Sequence, residues 1–195
     1  AENDKVSGVG DGKFNPDGTV TRAEFLKMAM DSLGIVGHAY RDGECLDATN
    51  DDWYCYYLQG ALDKDIIPEE MIEDCDFTNV TKTLKESTEK EKAVRANVNV
   101  YTGKFYGDKP ITREEMAVIA TRCKNYKMRN WRDWDNERRI PVFSFKDSDE
   151  IDEKYISYVV HAYNLKYIDG MEDGRFAPKE NLTRAQAAVV MNNLK

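Results

Sequence analysis

The chain has 195 residues, of which 41% are hydrophobic and 33% charged, with a net charge of −8. That is enough apolar material for one sizeable globular unit, or a few small ones around one core, and it excludes wholesale disorder. The longest apolar runs, such as Ala187-Ala188-Val189-Val190-Met191, fall far short of the roughly 20 residues that span a bilayer, and a pI near 4.9 disfavours a general nucleic-acid or anionic-membrane binder.

From the N-terminus, Ala1-Glu2-Asn3-Asp4-Lys5 has no apolar signal-peptide core, so export is not readable there. Gly12-Lys13-Phe14 then precedes Val20-Thr21-Arg22-Ala23-Glu24. The same frame returns as Gly103-Lys104-Phe105 with Ile111-Thr112-Arg113-Glu114-Glu115, and as Gly174-Arg175-Phe176 with Leu182-Thr183-Arg184-Ala185-Gln186. In each case the Phe precedes the Thr by seven residues. Thr followed three residues later by Glu or Gln is a capping box, so Thr21 with Glu24, Thr112 with Glu115, and Thr183 with Gln186 are read as helix caps. Behind each Thr lies one apolar stripe: Phe25, Met28 and Ala29; Met116, Ile119 and Ala120; Ala187, Val190 and Met191. Three such stripes are expected to pack on a common axis.

A second element precedes the frame. Tyr54, Tyr57, Leu58, Ala61 and Leu62 have helical spacing, as do Tyr155, Tyr158, Val159, Ala162 and Tyr163. The two helices run into the turns Asp65-Ile66-Ile67-Pro68 and Lys166-Tyr167-Ile168-Asp169-Gly170, and each has an aromatic-x-Asp lead-in, Tyr40-Arg41-Asp42 and Phe145-Lys146-Asp147. The stretch Val6 to Phe14 aligns without gaps on Ile168 to Phe176, so the first repeat is expected to start at the turn and to lack its own helix. Upstream residues, a neighbouring chain or the insertion in the second repeat would then cover the exposed apolar face. That insertion, about 69–101, holds the charged stretch Lys82 to Lys92 and the β-prone Val98-Asn99-Val100-Tyr101. It reads as a solvated excursion or a partner-binding arm. The expected organisation is repeat 1 at 1–37, repeat 2 at 38–123, a basic connector at 124–144 carrying Trp131 and Trp134, and repeat 3 at 145–195. No nucleic-acid role is expected of the connector, because acids interrupt its cations.

Cys45, Cys55, Cys75 and Cys123 match no paired zinc-site spacing, and two disulfides or four free thiols both stand. Neither a metal nor a cofactor is expected. A calcium loop over 13–24 is disfavoured because Lys13 occupies its first position. No nucleophile, phosphate-loop or zinc-protease motif appears, so no enzyme is expected; a wall-active glycoside hydrolase is the weakest reading, without positional support.

Gly-x-x-Asp-Gly-x-Phe-x-Pro followed by Thr-Arg-Ala-Glu, matched by Gly8 to Glu24 and, with Gln for Glu, by Gly170 to Gln186, resembles the S-layer homology repeat. The second repeat departs from it at Pro68-Glu69-Glu70 and at Tyr106-Gly107. The resemblance implies a mainly α, pseudo-threefold helical bundle with inner and outer helices and grooves between repeats. It also implies non-catalytic anchoring of an exported surface protein to the cell wall, extracellularly, through a secondary wall polysaccharide bearing pyruvate ketals. The alternative is surface-layer assembly, or protein binding through repeat 1 or the insertion.

The residues support an anionic ligand separately. Arg22, Arg113 and Arg184 each open a helix, where a cation costs some tenths of a kcal/mol against the helix dipole. A cation repeated there points to another role, and a guanidinium beside free helix amides makes a carboxylate site. The competing reading pairs these arginines with a carboxylate such as Asp42 or Asp147. Gly8 and Gly170 are expected to supply positive-φ turns near a sugar. Lys13, Lys104 and Arg175 are further groove cations or simply solvated charges.

Overall fold

The computed structural model describes residues 15–41, 45, 47–74, 103–128 and 145–195. Gly8, Lys13, Asp42, Cys75, the charged stretch 82–92, Val98 to Tyr101 and the two connector tryptophans lie outside them. The described residues are mainly α, with five helices: α1 (Arg22–Leu33), α2 (Cys55–Asp63), α3 (Arg113–Met128), α4 (Ile156–Asn164) and α5 (Arg184–Asn193). They contain isolated bridges but no strands. Residues 1–36 with 108–195 form one compact unit and 37–107 a second.

In the larger unit, α1, α3 and α5 begin alike. Thr21 Oγ1 accepts the Glu24 N–H while Glu24 accepts the Thr21 N–H, and Thr112 with Glu115 and Thr183 with Gln186 do the same. Each box satisfies amides that a helix start leaves without a partner. The residue just ahead of each Thr joins the three starts. Val20 N–H donates to the Leu182 carbonyl at 3.0 Å, Leu182 N–H to Ile111 at 2.9 Å, and Ile111 N–H to Val20 at 2.9 Å. The cycle is closed and in register, and all three side chains are fully buried. A second cycle runs outside it: Arg22 N–H to Lys109, Arg113 N–H to Glu180 and Arg184 N–H to Gly18.

The stripes behind these starts are buried as well, including Phe25, Ala29, Met116, Ile119, Ala187 and Val190. Helix α3 packs against α1 and α4, and α1 against α5. Helix α1 stops at Gly34, whose φ of 63° is the left-handed cap that glycine adopts without Cβ strain.

In the unit spanning 37–107, α2 buries Leu58, Ala61 and Leu62, and Tyr54 at its start lies against the Phe105 ring at 6.4 Å. Asp63 holds Arg41, His38 and Gln59, tying the lead-in to the end of α2. The start of the expected insertion is ordered: Glu69–Met71 is a 3-10 turn, and Glu73 exchanges two backbone hydrogen bonds with Lys104, at 2.9 and 2.7 Å. Cys55 and Cys123 are free thiols, and burial pushes the Cys123 thiol well above its usual range.

The hydrogen-bond cycle is held by apolar burial on every side, so Leu182→Ala is expected to cost about 2–5 kcal/mol. A lower urea midpoint with an unchanged slope would show it, whereas an unchanged midpoint would mean that the cycle does not depend on its side chains.

Candidate functional site

The helix starts are closed by the chain itself. In α3 the first three amides go to the Glu180 carbonyl, the Pro178 carbonyl and Thr112 Oγ1; in α5 they go to Gly18, Pro16 and Thr183 Oγ1. At α3 and α5 the expectation of free helix amides for a carboxylate is therefore corrected, since neighbouring segments and the capping threonines use them.

The arginines are equally enclosed: Arg22 is 1% exposed, Arg113 5% and Arg184 8%. Arg22 Nε and Nη2 grip the Glu115 carboxylate as a fork. Glu115 also caps α3 through the Thr112 N–H, so one carboxylate closes a helix and joins two repeats. This corrects the expected cost of a cation at a helix start, because a neighbouring acid more than offsets the dipole at Arg22. The carboxylate in this fork is Glu115 rather than Asp147, and Asp42 lies outside the described residues.

Arg113 has a different environment. Its Nε donates to the Phe176 carbonyl at 2.7 Å, its Nη2 to the Asp169 carbonyl at 2.9 Å, and its guanidinium stacks over the Phe176 ring at 5.1 Å. Nη1 makes no hydrogen bond to a described residue and is not shut off from solvent. No described carboxylate pairs with it. Burial pulls its pKa below the ordinary guanidinium value, and the charges of Glu180 and Asp147 oppose that pull from a distance. In the third repeat the position of Glu115 is held by Gln186, which carries no charge.

Asp147 is buried and holds the Phe176 and Ala177 amides at 2.7 Å each. Ala177 has a φ of 57°, and Asn15 and Tyr106, in the same place after the other phenylalanines, have 51° and 52°. That conformation costs a residue with a Cβ about 1 kcal/mol or more, which the carboxylate clamp offsets. In the other unit the clamp is Asp47, whose oxygens accept from Phe105 N–H at 2.8 Å and Tyr106 N–H at 2.6 Å. Asp47 was not singled out from the sequence. Its signal was there: it stands seven residues ahead of Tyr54 and Asp147 eight ahead of Tyr155, which an alignment on the lead-in aromatic conceals.

Gly170 does not have positive φ, which corrects its expected role; the left-handed residues nearby are Lys166 and Gly174. Glycine is required at 170 because a Cβ would lie 2.5 Å from the Phe145 ring. Arg113, Asp147 and Gly170 thus converge around the Phe176 loop. Lys104 and Arg175 are held in surface ion pairs, Lys104 with Asp74 and Arg175 with Asp173 and Glu180. Among the described residues no group of His, Cys, Asp or Glu is arranged to hold a metal, and no described helix is long and apolar enough to cross a membrane.

Arg22→Ala is expected to cost about 3–5 kcal/mol, because it leaves the Glu115 charge buried without its partner. Adding Glu115→Gln keeps an N3 side chain that can cap and removes the charge, so the double variant should recover part of the loss in a thermal melt. A single variant as stable as the parent would mean that the pair is not a joint.

Residues 3–26, 98–117 and 144–188 match the S-layer homology domain. The chain is similar to Exoglucanase XynX of Acetivibrio thermocellus, 32% identical over 193 residues, covering 97% of this chain and 14% of that protein. It is similar to the Amylopullulanase of Thermoanaerobacterium thermosulfurigenes, 31% identical over 97% of this chain and 8% of that protein. It is also similar to an Endoglucanase of Bacillus sp. (strain KSM-635), 28% identical over 99% of this chain and 16% of that protein. The chain therefore spans only 8–16% of the length of these relatives. With three matching segments, two of whose capped helix starts and the third's are joined in one hydrogen-bonded cycle, the chain belongs to the S-layer homology domain family.

Proposed function

We propose that this chain is a non-catalytic wall-anchoring module, holding a surface protein to an anionic secondary wall polysaccharide. Three relatives named for different activities share this stretch across nearly all of its length while it makes up a small part of each. A part common to an exoglucanase, an amylopullulanase and an endoglucanase serves what those proteins share, not what separates them. Membership of the family supports a cell-surface location and a wall-polymer partner.

The observation that carries the ligand's sign is Arg113. A guanidinium held by two carbonyls and a ring, with no paired carboxylate among the described residues, is a buried charge left for an outside anion to neutralise. A pyruvate-ketal carboxylate reaching Nη1 supplies that charge. Arg184 is the second contact in this reading. Arg22 is the least available, because an anion must displace Glu115 from it. Asp147 and Gly170 shape the Phe176 loop against which the sugar lies. The reading carries with it the arrangement of inner and outer helices around a pseudo-threefold axis, with repeats at 1–37, 38–123 and 145–195 joined through a connector at 124–144 and interrupted at about 69–101.

The test is co-sedimentation with purified cell walls, before and after selective removal of the polysaccharide. Arg113→Lys keeps the charge but loses the fork, and should weaken binding at least about tenfold. Gln186→Glu places a carboxylate where the cyclic order brings it opposite Arg113, and should stabilise the fold while weakening wall binding. If both variants sediment like the parent, Arg113 is not the anion contact. Binding that survives removal of the polysaccharide would favour the alternative, a protein or peptidoglycan partner.

A further inference from the structure

The second position of each helix start differs among the repeats: Ala23 in α1, Ala185 in α5, but Glu114 in α3. Glu114 is only 3% exposed. Its Oε1 accepts from Lys179 Nζ at 2.6 Å and its Oε2 from the Asp152 N–H at 3.1 Å, and Lys179 also pairs with the Asp152 carboxylate at 2.6 Å. The donors lie outside α3: Asp152 stands just ahead of the 3-10 turn Glu153–Tyr155, and Lys179 on the loop after Phe176. Neither is part of the clamp on Arg113.

One ammonium and one backbone amide therefore form a cradle that holds a carboxylate almost out of water. The cradle has to overcome desolvation, because burial raises the Glu114 pKa above the ordinary carboxylate value while Lys179 and the Asp152 amide pull it back. Burial alone would lower the Lys179 pKa, yet the hydrogen bonds to Asp152 and Glu114 leave it raised. The carboxylate in the cradle is supplied by the one repeat whose second helix residue is not alanine.

We infer that the Asp152–Lys179 cradle is a second carboxylate subsite beside the Arg113 contact, kept filled by the chain's own Glu114, so that this junction refuses a further acidic group from a ligand. The inference deepens the wall-anchoring reading and rests on it for its biological meaning: Glu114 makes the junction selective for a glycan whose carboxylates are widely spaced. The subsite itself can be tested without any wall material.

The experiment compares the full chain with its Glu114→Ala variant in sodium pyruvate against sodium chloride at equal ionic strength. In Glu114→Ala the Asp152 N–H loses its acceptor and Lys179 keeps only the Asp152 carboxylate, and pyruvate in the place of Glu114 should raise the thermal midpoint saturably, by about 3 °C at roughly ten times its dissociation constant. The parent chain should not respond, and Glu114→Ala with Lys179→Ala should lose the response. If Glu114→Ala does not fold in chloride, pyruvate must restore folding, as read by circular dichroism. A folded variant that responds to pyruvate no more than the parent, or an unfolded one that pyruvate does not rescue, overturns the subsite. Failure of wall binding would instead count against the anchoring function and leave this result standing.

Discussion

The larger unit depends on a three-membered cycle of backbone hydrogen bonds through Val20, Ile111 and Leu182. Each member donates to one neighbour and accepts from the other, so no strand is needed and no donor is left over within the cycle. The geometry holds because the same three-residue pattern, apolar then Thr then Arg, recurs at all three places. The apolar side chain anchors the backbone in the core and the Thr fixes where the helix begins. The Arg N–H, an orphan at any helix start, finds a carbonyl in the next segment. Local capping and long-range assembly are therefore one set of bonds, which gives the sequence a reason to repeat Thr-Arg so strictly.

From this follows a division of labour among chemically identical arginines. The third residue of α3, Glu115, meets the arginine of α1, and there the Arg22 charge is neutralised internally. On α5 the third residue is Gln186, and the box still closes through the amide oxygen but brings no charge for an arginine. The exchange of Glu for Gln leaves helix capping intact and changes only the electrostatics. Arg22 is thus held by a carboxylate, whereas Arg113 is held by two carbonyls and a ring.

The parts legible in the sequence were those fixed by neighbours along the chain. Capping boxes, the stripes of Phe25, Met116 and Ala187, and the two helices at Leu58 and Val159 all follow from periods of three to four residues. What escaped was set by partners far away. Glu115 lies 93 residues from Arg22, and nothing in its own capping role marks it as the partner. Asp47 escaped because the segment between clamp and helix is one residue shorter than its counterpart at Asp147, and counting from Tyr40 pointed to Asp42. At Gly170 the type of constraint was misassigned: the tight space comes from the Phe145 ring rather than from backbone torsion.

Net charge adds a last step. At −8 the chain repels an acidic polymer at distances beyond contact, and at physiological ionic strength that repulsion fades within about 8 Å. Long-range steering of the kind polybasic proteins use is therefore unavailable. Any recognition of an anion by this chain has to be made at short range, where a guanidinium stripped of most of its water attracts a carboxylate far more strongly than one at the surface. The enclosure of Arg113 by the Phe176 loop meets that requirement, and three buried carboxylates of the same unit are already engaged: Glu115 on Arg22, Asp147 on two amides, and Glu114 on Lys179. An acidic protein can hold an acidic ligand only through a cation whose charge its own carboxylates have not already paired.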